Sequence, residues 1–109
     1  MAQSLSPLAE ETLEEIFIYS FEHFGEAQAI RYRDALFARL DALAEDRPPH
    51  GRPCEALVGD DAPNGVFYVK QGSHFIVYRT IAEEIFVVDF IHERRDLPTM
   101  LAAPTNRRP

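Results

Sequence analysis

An α+β fold, with an N-terminal α-helical hairpin packed on a small C-terminal antiparallel β-sheet, is what this 109-residue sequence predicts. Three observations carry that expectation. Helical periodicity fills residues 6–46 and breaks only at Gly25. A stretch rich in Pro, Gly and Asp follows over 47–65, and three short β-branched and aromatic runs come after it. Two helices followed by a run of strands call for a helical layer on one face of an antiparallel sheet. The expected organisation is one domain over 1–109: helical hairpin 6–46, connection 47–65, sheet 66–97 and tail 98–109.

Ser6-Pro7 reads as a helix start. The Ser hydroxyl can accept from an early backbone N–H, and Pro at the first helical position gives up no bond. Glu10, Glu11, Glu14 and Glu15 follow, where acids oppose the positive end of the helix dipole. Ala9, Leu13, Ile16, Ser20 and Phe24 recur at helical spacing, flanked by Phe17 and Phe21, opposite a row of glutamates that reads as a solvated face. Gly25 is placed to end the helix in a left-handed conformation. The second helix, 26–45, has Ala29, Tyr32, Leu36, Leu40 and Leu43 as its inner stripe with Ile30 and Phe37 beside it, and Pro48-Pro49 stops it. With almost no loop at Gly25, the two helices fold back on each other.

The connection is expected to be ordered, with a turn at Asn64-Gly65. Strands are expected over 66–70, 74–81 and 85–91, joined by turns at Gln71-Gly72 and 82–84. Residues 96–101 suit a short terminal turn, and 102–109 read as a frayed end. The strands around Phe75 to Tyr78 and Ile85 to Val88 are apolar on both faces. One face covers the hairpin; a second apolar face on so small a sheet suggests a partner segment or self-association. Phe67, Val69, Phe75, Val77, Phe86 and Val88 are the candidates for that contact.

Composition narrows the function classes. Apolar residues make up 46% and charged residues 27%, an ordinary globular balance. The single cysteine, Cys54, cannot form an internal disulfide and suits a reducing compartment, so a cytoplasmic location is expected. The N-terminus has neither a basic nor an apolar leader region, and no apolar run approaches the roughly 20 residues needed to cross a bilayer. The net charge of −7 lies wholly in the front half: residues 1–46 hold ten acids and three Arg, while 47–109 hold eight acids and eight Lys or Arg. Such a surface repels phosphate backbones, so direct nucleic-acid binding is not expected.

The chemistry-bearing residues are few. Cys54 and His50 could be written as a dyad, but no third group accompanies them. His23, His50, His74 and His92 lack zinc-ligand spacing, no Gly-rich phosphate loop is present, and no cofactor is expected. By simple strand alternation His92 shares a side with Phe86, Val88 and Phe90, and Asp89 with Ile85, Val87 and Ile91. His92 would then cap the strand end, and Arg79 would pair with Asp89 across adjacent strands. Arg94 and Arg95 suit planar contacts with carboxylate or phosphate.

Several segments in order resemble the ParE branch of the RelE/ParE toxins: Leu5-Ser6-Pro7-x-Ala9, Phe24-Gly25-Glu26-x-Gln28-Ala29, Gly51-Arg52-Pro53, Gly72-Ser73-His74-Phe75-Ile76-Val77-Tyr78-Arg79 and Ile91-His92-Glu93-Arg94-Arg95-Asp96. The resemblance spans residues 5–97 and implies the same hairpin-on-sheet fold. It also implies a toxin of a type II toxin–antitoxin module that inhibits growth by binding a protein, commonly DNA gyrase, without catalysis. A cognate ParD-like antitoxin would neutralise it in a hetero-oligomer. Arg79, His92, Arg94 and Arg95 are the target-binding candidates on this view. The chain departs from the family pattern at Asp89 and Phe67, where Arg is common, and at Arg95, where Met is common. Two alternatives stay open: a RelE-like mRNA endonuclease using His74, His92 and Tyr78 with Lys70 and Arg79, and a non-toxic binding module of the same fold.

Overall fold

The computed structural model of the chain describes residues 3–48, 50–55, 65–82 and 84–98. Its elements in chain order are β1 (Gln3–Leu5), α1 (Pro7–Phe24), α2 (Glu26–Ala44), β2 (Arg52–Pro53), β3 (Val66–Gln71), β4 (His74–Ile81) and β5 (Glu84–His92). The sheet is five-stranded, in the order β1-β5-β4-β3-β2. The hairpin on a largely antiparallel sheet is therefore as expected, with two corrections. A short β1 pairs in parallel with β5, setting Gln3 opposite Ile85 and Leu5 opposite Val87. Arg52 and Pro53, expected in the connection, pair with Tyr68 and Phe67 as an edge strand. Both added strands are too short to show alternation, and Pro is tolerated where β2 sits, on a sheet edge.

Ser6 begins α1 as expected, its Oγ accepting from Ala9 N–H at 3.0 Å. The same hydroxyl donates to the Val88 carbonyl at 2.7 Å, and the Ser6 N–H donates to the Val87 carbonyl at 2.9 Å. One residue thus fixes both the helix start and the height at which α1 leaves the sheet. Gly25 joins the helices with φ 92° and ψ 167°, a mirror-image extended conformation rather than the expected left-handed helical one. Only glycine adopts it without strain.

The core between hairpin and sheet holds Ala9, Ile16, Leu36, Leu40, Leu43, Ile76, Tyr78, Ile85, Val87 and Phe90. Leu36, Leu40, Ile76 and Val87 are essentially sealed from solvent, each worth about 1.5–3 kcal/mol of burial. Phe24 is a correction. It was expected in the inner stripe of α1, but it is 65% exposed at the hairpin tip, where residues 21–28 all face solvent. The tip reaches past the sheet, so helical periodicity continues where no core lies beneath it.

A second cluster closes much of the opposite sheet face: Cys54, Val66, Val77, Ile91 and Leu97, with Tyr68, Phe75 and Val88 against it. The chain itself therefore supplies part of the cover that the doubly apolar strands demanded. Asn64 of the expected Asn64-Gly65 turn, most of the 96–101 turn and residues 102–109 lie outside the described residues.

Candidate functional site

The feature that organises the site is a β-bulge. Val77 faces Asp89 and Tyr78 faces Val87, leaving Val88 as an extra residue in β5. A bulge of this kind reverses the side-chain alternation beyond it. Phe90 therefore joins Ile85 and Val87 in the helix-facing core, and Ile91 joins Val88 in the second cluster. Simple alternation assigned these residues the other way round, because a bulge leaves no mark on an apolar run. The bulge also places His92 opposite His74, their rings meeting edge to face with centroids 5.0 Å apart.

His74 is held from α2. Ser73 N–H donates to the Tyr32 hydroxyl at 2.9 Å, and that hydroxyl lies 2.6 Å from Nδ1 of His74. Burial, then the neighbouring His92, lower the His74 pKa to about 4. The ring is therefore neutral near pH 7, accepting the Tyr32 proton at Nδ1 and carrying its own on Nε2. Gly72 makes this approach possible: it turns β3 into β4 with φ 61°, and a Cβ there would strike the Tyr32 ring. Burial also raises the Tyr32 pKa.

His92 ends β5 much as expected of a capping residue. Its Nδ1 accepts from Arg94 N–H at 3.1 Å, and its carbonyl accepts from Arg95 N–H at 2.9 Å. These bonds curl the chain so that His92, Arg94 and Arg95 line one groove of about 780 Å³. Thr12, Glu15, Ile16, Tyr19 and Phe24 of α1 form the opposite wall, with Gln28 and Tyr32 from α2. Residues 18–24 hold four large exposed apolar side chains, Ile18, Tyr19, Phe21 and Phe24. Tyr19 stacks on His23 at 3.9 Å between centroids. Phe24 shares the period of the buried stripe and Phe21 flanks it, so both read as core in the sequence, whereas Ile18 and Tyr19 fall off that period and carried no signal.

Asp89 stands on the groove floor. Its Oδ1 accepts from the Thr12 hydroxyl at 2.8 Å and from Phe90 N–H at 2.8 Å. Burial raises its pKa, opposed by those two bonds and by the charge of Arg95. The expected Arg79–Asp89 pair is not formed, since the register from the β4–β5 turn sets Arg79 opposite Phe86, while Asp89 lies opposite Val77, two positions further along β4. Of the four target-binding candidates the structure gathers His92, Arg94 and Arg95 and leaves Arg79 exposed toward the other end of β4. The six partner candidates divide likewise. Phe67 and Val69 face the helices, whereas Phe75, Val77 and Val88 belong to the second cluster and Phe86 is half-buried. They do not form one continuous surface.

The remaining candidates separate as well. Cys54 is fully buried, its thiol pKa pushed up to about 11, while His50 is exposed beside Asp46. Lys70 is tied to Glu93 at 2.7 Å, and Tyr78 is buried in the core. Among the described residues, no group of three or more His, Cys, Asp or Glu is placed to hold a metal, and no helix is long and apolar enough to cross a membrane.

Residues 4–97 match the family described as ParE toxin of type II toxin-antitoxin system, parDE. The chain is 35% identical over 94 residues to Toxin ParE1 of two Mycobacterium tuberculosis strains, covering 85% of this chain and 90% of each relative. A solved structure described as the chromosomal ParDE TA system from P. aeruginosa superposes with a TM-score of 0.64 at 18% identity, over 84% of this chain and 95% of that one. At that identity the superposition shows a shared fold. The family match and the mycobacterial relatives show more: this chain belongs to the ParE toxin family of type II toxin–antitoxin systems.

Proposed function

We propose that this ParE family member arrests growth by binding a protein target, DNA gyrase, through the end of β5, and that a ParD-like antitoxin neutralises it by occupying the adjoining groove. The observation that carries the reading is the convergence of His92, Arg94 and Arg95 on one rim, facing the exposed Tyr19 and Phe24 on the other. Arginine and aromatic side chains around a concave surface are the composition of protein-recognition hot spots. The name of the Pseudomonas system pairs its toxin with a ParD partner, which supports an antitoxin for this chain.

The same geometry weighs against mRNA cleavage. Phosphoryl transfer from RNA needs a base, an acid and cations around one phosphate. His74 and His92 do adjoin each other, but Lys70 is neutralised by Glu93, Tyr78 lies in the core, and Arg79 is displaced along the sheet. The acidic helical layer further disfavours docking on RNA.

Induced expression in a bacterial host, with and without the adjacent small gene, tests the proposal. Growth, the DNA-damage response and mRNA integrity are scored together. Arrest with a damage response and intact mRNA is expected. Arrest with cleaved mRNA would establish the ribonuclease instead, and no arrest would leave a non-toxic binding module.

A further inference from the structure

His74 and His92 stand directly opposite each other on β4 and β5, so their side chains leave the sheet on the same side, into the groove. Both rings are anchored through Nδ1. In His74 that atom accepts from the Tyr32 hydroxyl at 2.6 Å, a hydroxyl that itself accepts from Ser73 N–H. In His92 it accepts from Arg94 N–H at 3.1 Å. A neutral imidazole whose Nδ1 accepts carries its proton on Nε2. Both Nε2–H groups are thus donors, and among the described residues neither has a protein acceptor. No side-chain nitrogen is buried without a partner, so both donors open on the groove. Histidine pairs often hold a transition metal, but a metal-bound ring donates its second N–H, whereas these rings accept there. Two fixed donors call for an acceptor.

We propose that His74, His92 and Arg94 form a subsite for one phosphate group, carried by inorganic phosphate or by a small phosphate monoester. The inference goes beyond the growth-arrest reading and does not rest on it. Arg94 lines the same groove and makes no ion pair among the described residues, so its guanidinium supplies the cation. Two carboxylates of the groove are already matched. Glu93 is held by Lys70 at 2.7 Å, and Asp89 accepts from Thr12 and Phe90 N–H with the charge of Arg95 acting on it. Donors from β4, from β5 and from the turn after it address three oxygens, which a tetrahedral phosphate presents and a planar carboxylate does not. The groove, at about 780 Å³, has room for a small monoester. A nucleic acid is disfavoured, because a strand laid along the groove would pass Glu15 and the other glutamates of α1. Tyr32 is a positioning residue in this arrangement: it acts through His74 by fixing which nitrogen carries the proton.

The test uses the full isotope-labelled chain at pH 7 and constant ionic strength. Two-bond proton–nitrogen NMR spectra of the imidazoles come first and should show both rings protonated at Nε2 before any ligand is added. Inorganic phosphate, adenosine monophosphate, acetate and a single-stranded oligonucleotide are then titrated in turn. Phosphate should bind with a Kd on the order of 1 mM and shift Nε2 of both rings. Acetate should bind about tenfold more weakly, having lost one charge-assisted hydrogen bond. Tighter binding of the monophosphate than of phosphate assigns a monoester as occupant; equal or weaker binding assigns free phosphate. His74→Asn and His92→Asn each keep an acceptor for the anchoring bond but lose the Nε2 donor, and each should weaken phosphate binding about tenfold. Tyr32→Phe should mix the two tautomers of His74 alone, with a smaller loss of affinity. If a variant does not fold, the spectra and titrations of the natural chain decide. Nδ1 protonation of either ring in the natural chain, phosphate that leaves the pair unshifted, and affinity unchanged in both Asn variants would each overturn the proposal. So would acetate binding as tightly as phosphate, or an oligonucleotide binding more tightly per phosphate than the monophosphate. None of these readouts depends on toxicity.

Discussion

Acid should weaken this fold through His74, in a pH window set by its surroundings. In the unfolded chain the imidazole takes up a proton as pH falls through 6.5, whereas in the folded chain burial and His92 delay uptake until about pH 4. The unfolded state is therefore stabilised relative to the folded one across that interval, and folding stability falls as pH drops from 6.5 to about 4, then levels. At 1.36 kcal/mol per pH unit the full interval corresponds to about 3.4 kcal/mol. The ring sits in an open groove with partial access to water, which reduces the expected loss to about 1–2 kcal/mol. Burial raises the Asp89 pKa, which works in the opposite sense as pH falls, so a control is needed. His74→Asn supplies it: the Asn carbonyl can accept from Tyr32, as Nδ1 does, but does not titrate. Urea unfolding of both proteins at pH 7 and pH 4 separates the terms. The natural chain should lose about 1–2 kcal/mol more than the variant over that range. Equal losses, or a larger loss in the variant, would refute the placement of His74 as a buried neutral acceptor.

Three further outcomes follow from particular contacts. Ser6→Ala removes the α1 cap and the bond to the Val88 carbonyl, and should cost about 1–2 kcal/mol in denaturant unfolding. Leu40→Ala empties a fully buried site between hairpin and sheet and should cost about 2–5 kcal/mol by the same assay, with the secondary structure seen by circular dichroism retained at low temperature. The double variant Arg94→Ala with Arg95→Ala should abolish growth arrest on expression. Its thermal midpoint should stay within a few degrees of the natural chain's, because exposed side chains carry little stability, on the order of 0.5 kcal/mol each.

The hairpin was legible in the sequence because its signals agree. Ser6-Pro7, Gly25 and Pro48 mark its ends, and Leu36, Leu40 and Leu43 recur at the helical period that buries them. The long strands were legible for the same reason, within a residue at each end. What was not legible depended on partners distant in the chain. Gln3–Leu5 is a strand only because Ile85 and Val87 lie beside it. The Val88 bulge exists in relation to β4 and cannot be seen in a run where every residue is apolar. That single insertion decided the site: it placed His92 against His74 and turned Phe90 inward. The acidic row on α1 was correctly read as exposed, but the aromatic rim beside it was hidden, because periodicity cannot tell how far a helix overhangs its sheet.

The most direct test of the central claim is a gyrase assay with purified proteins, in which relaxed plasmid is supercoiled in the presence of the natural chain or the Arg94→Ala, Arg95→Ala variant, alongside an mRNA incubated with each. The account predicts that the natural chain blocks supercoiling, that the variant does not, and that the RNA stays intact with both. Unimpeded supercoiling at toxin concentrations in excess of gyrase, by a chain that still arrests growth in cells, would contradict it.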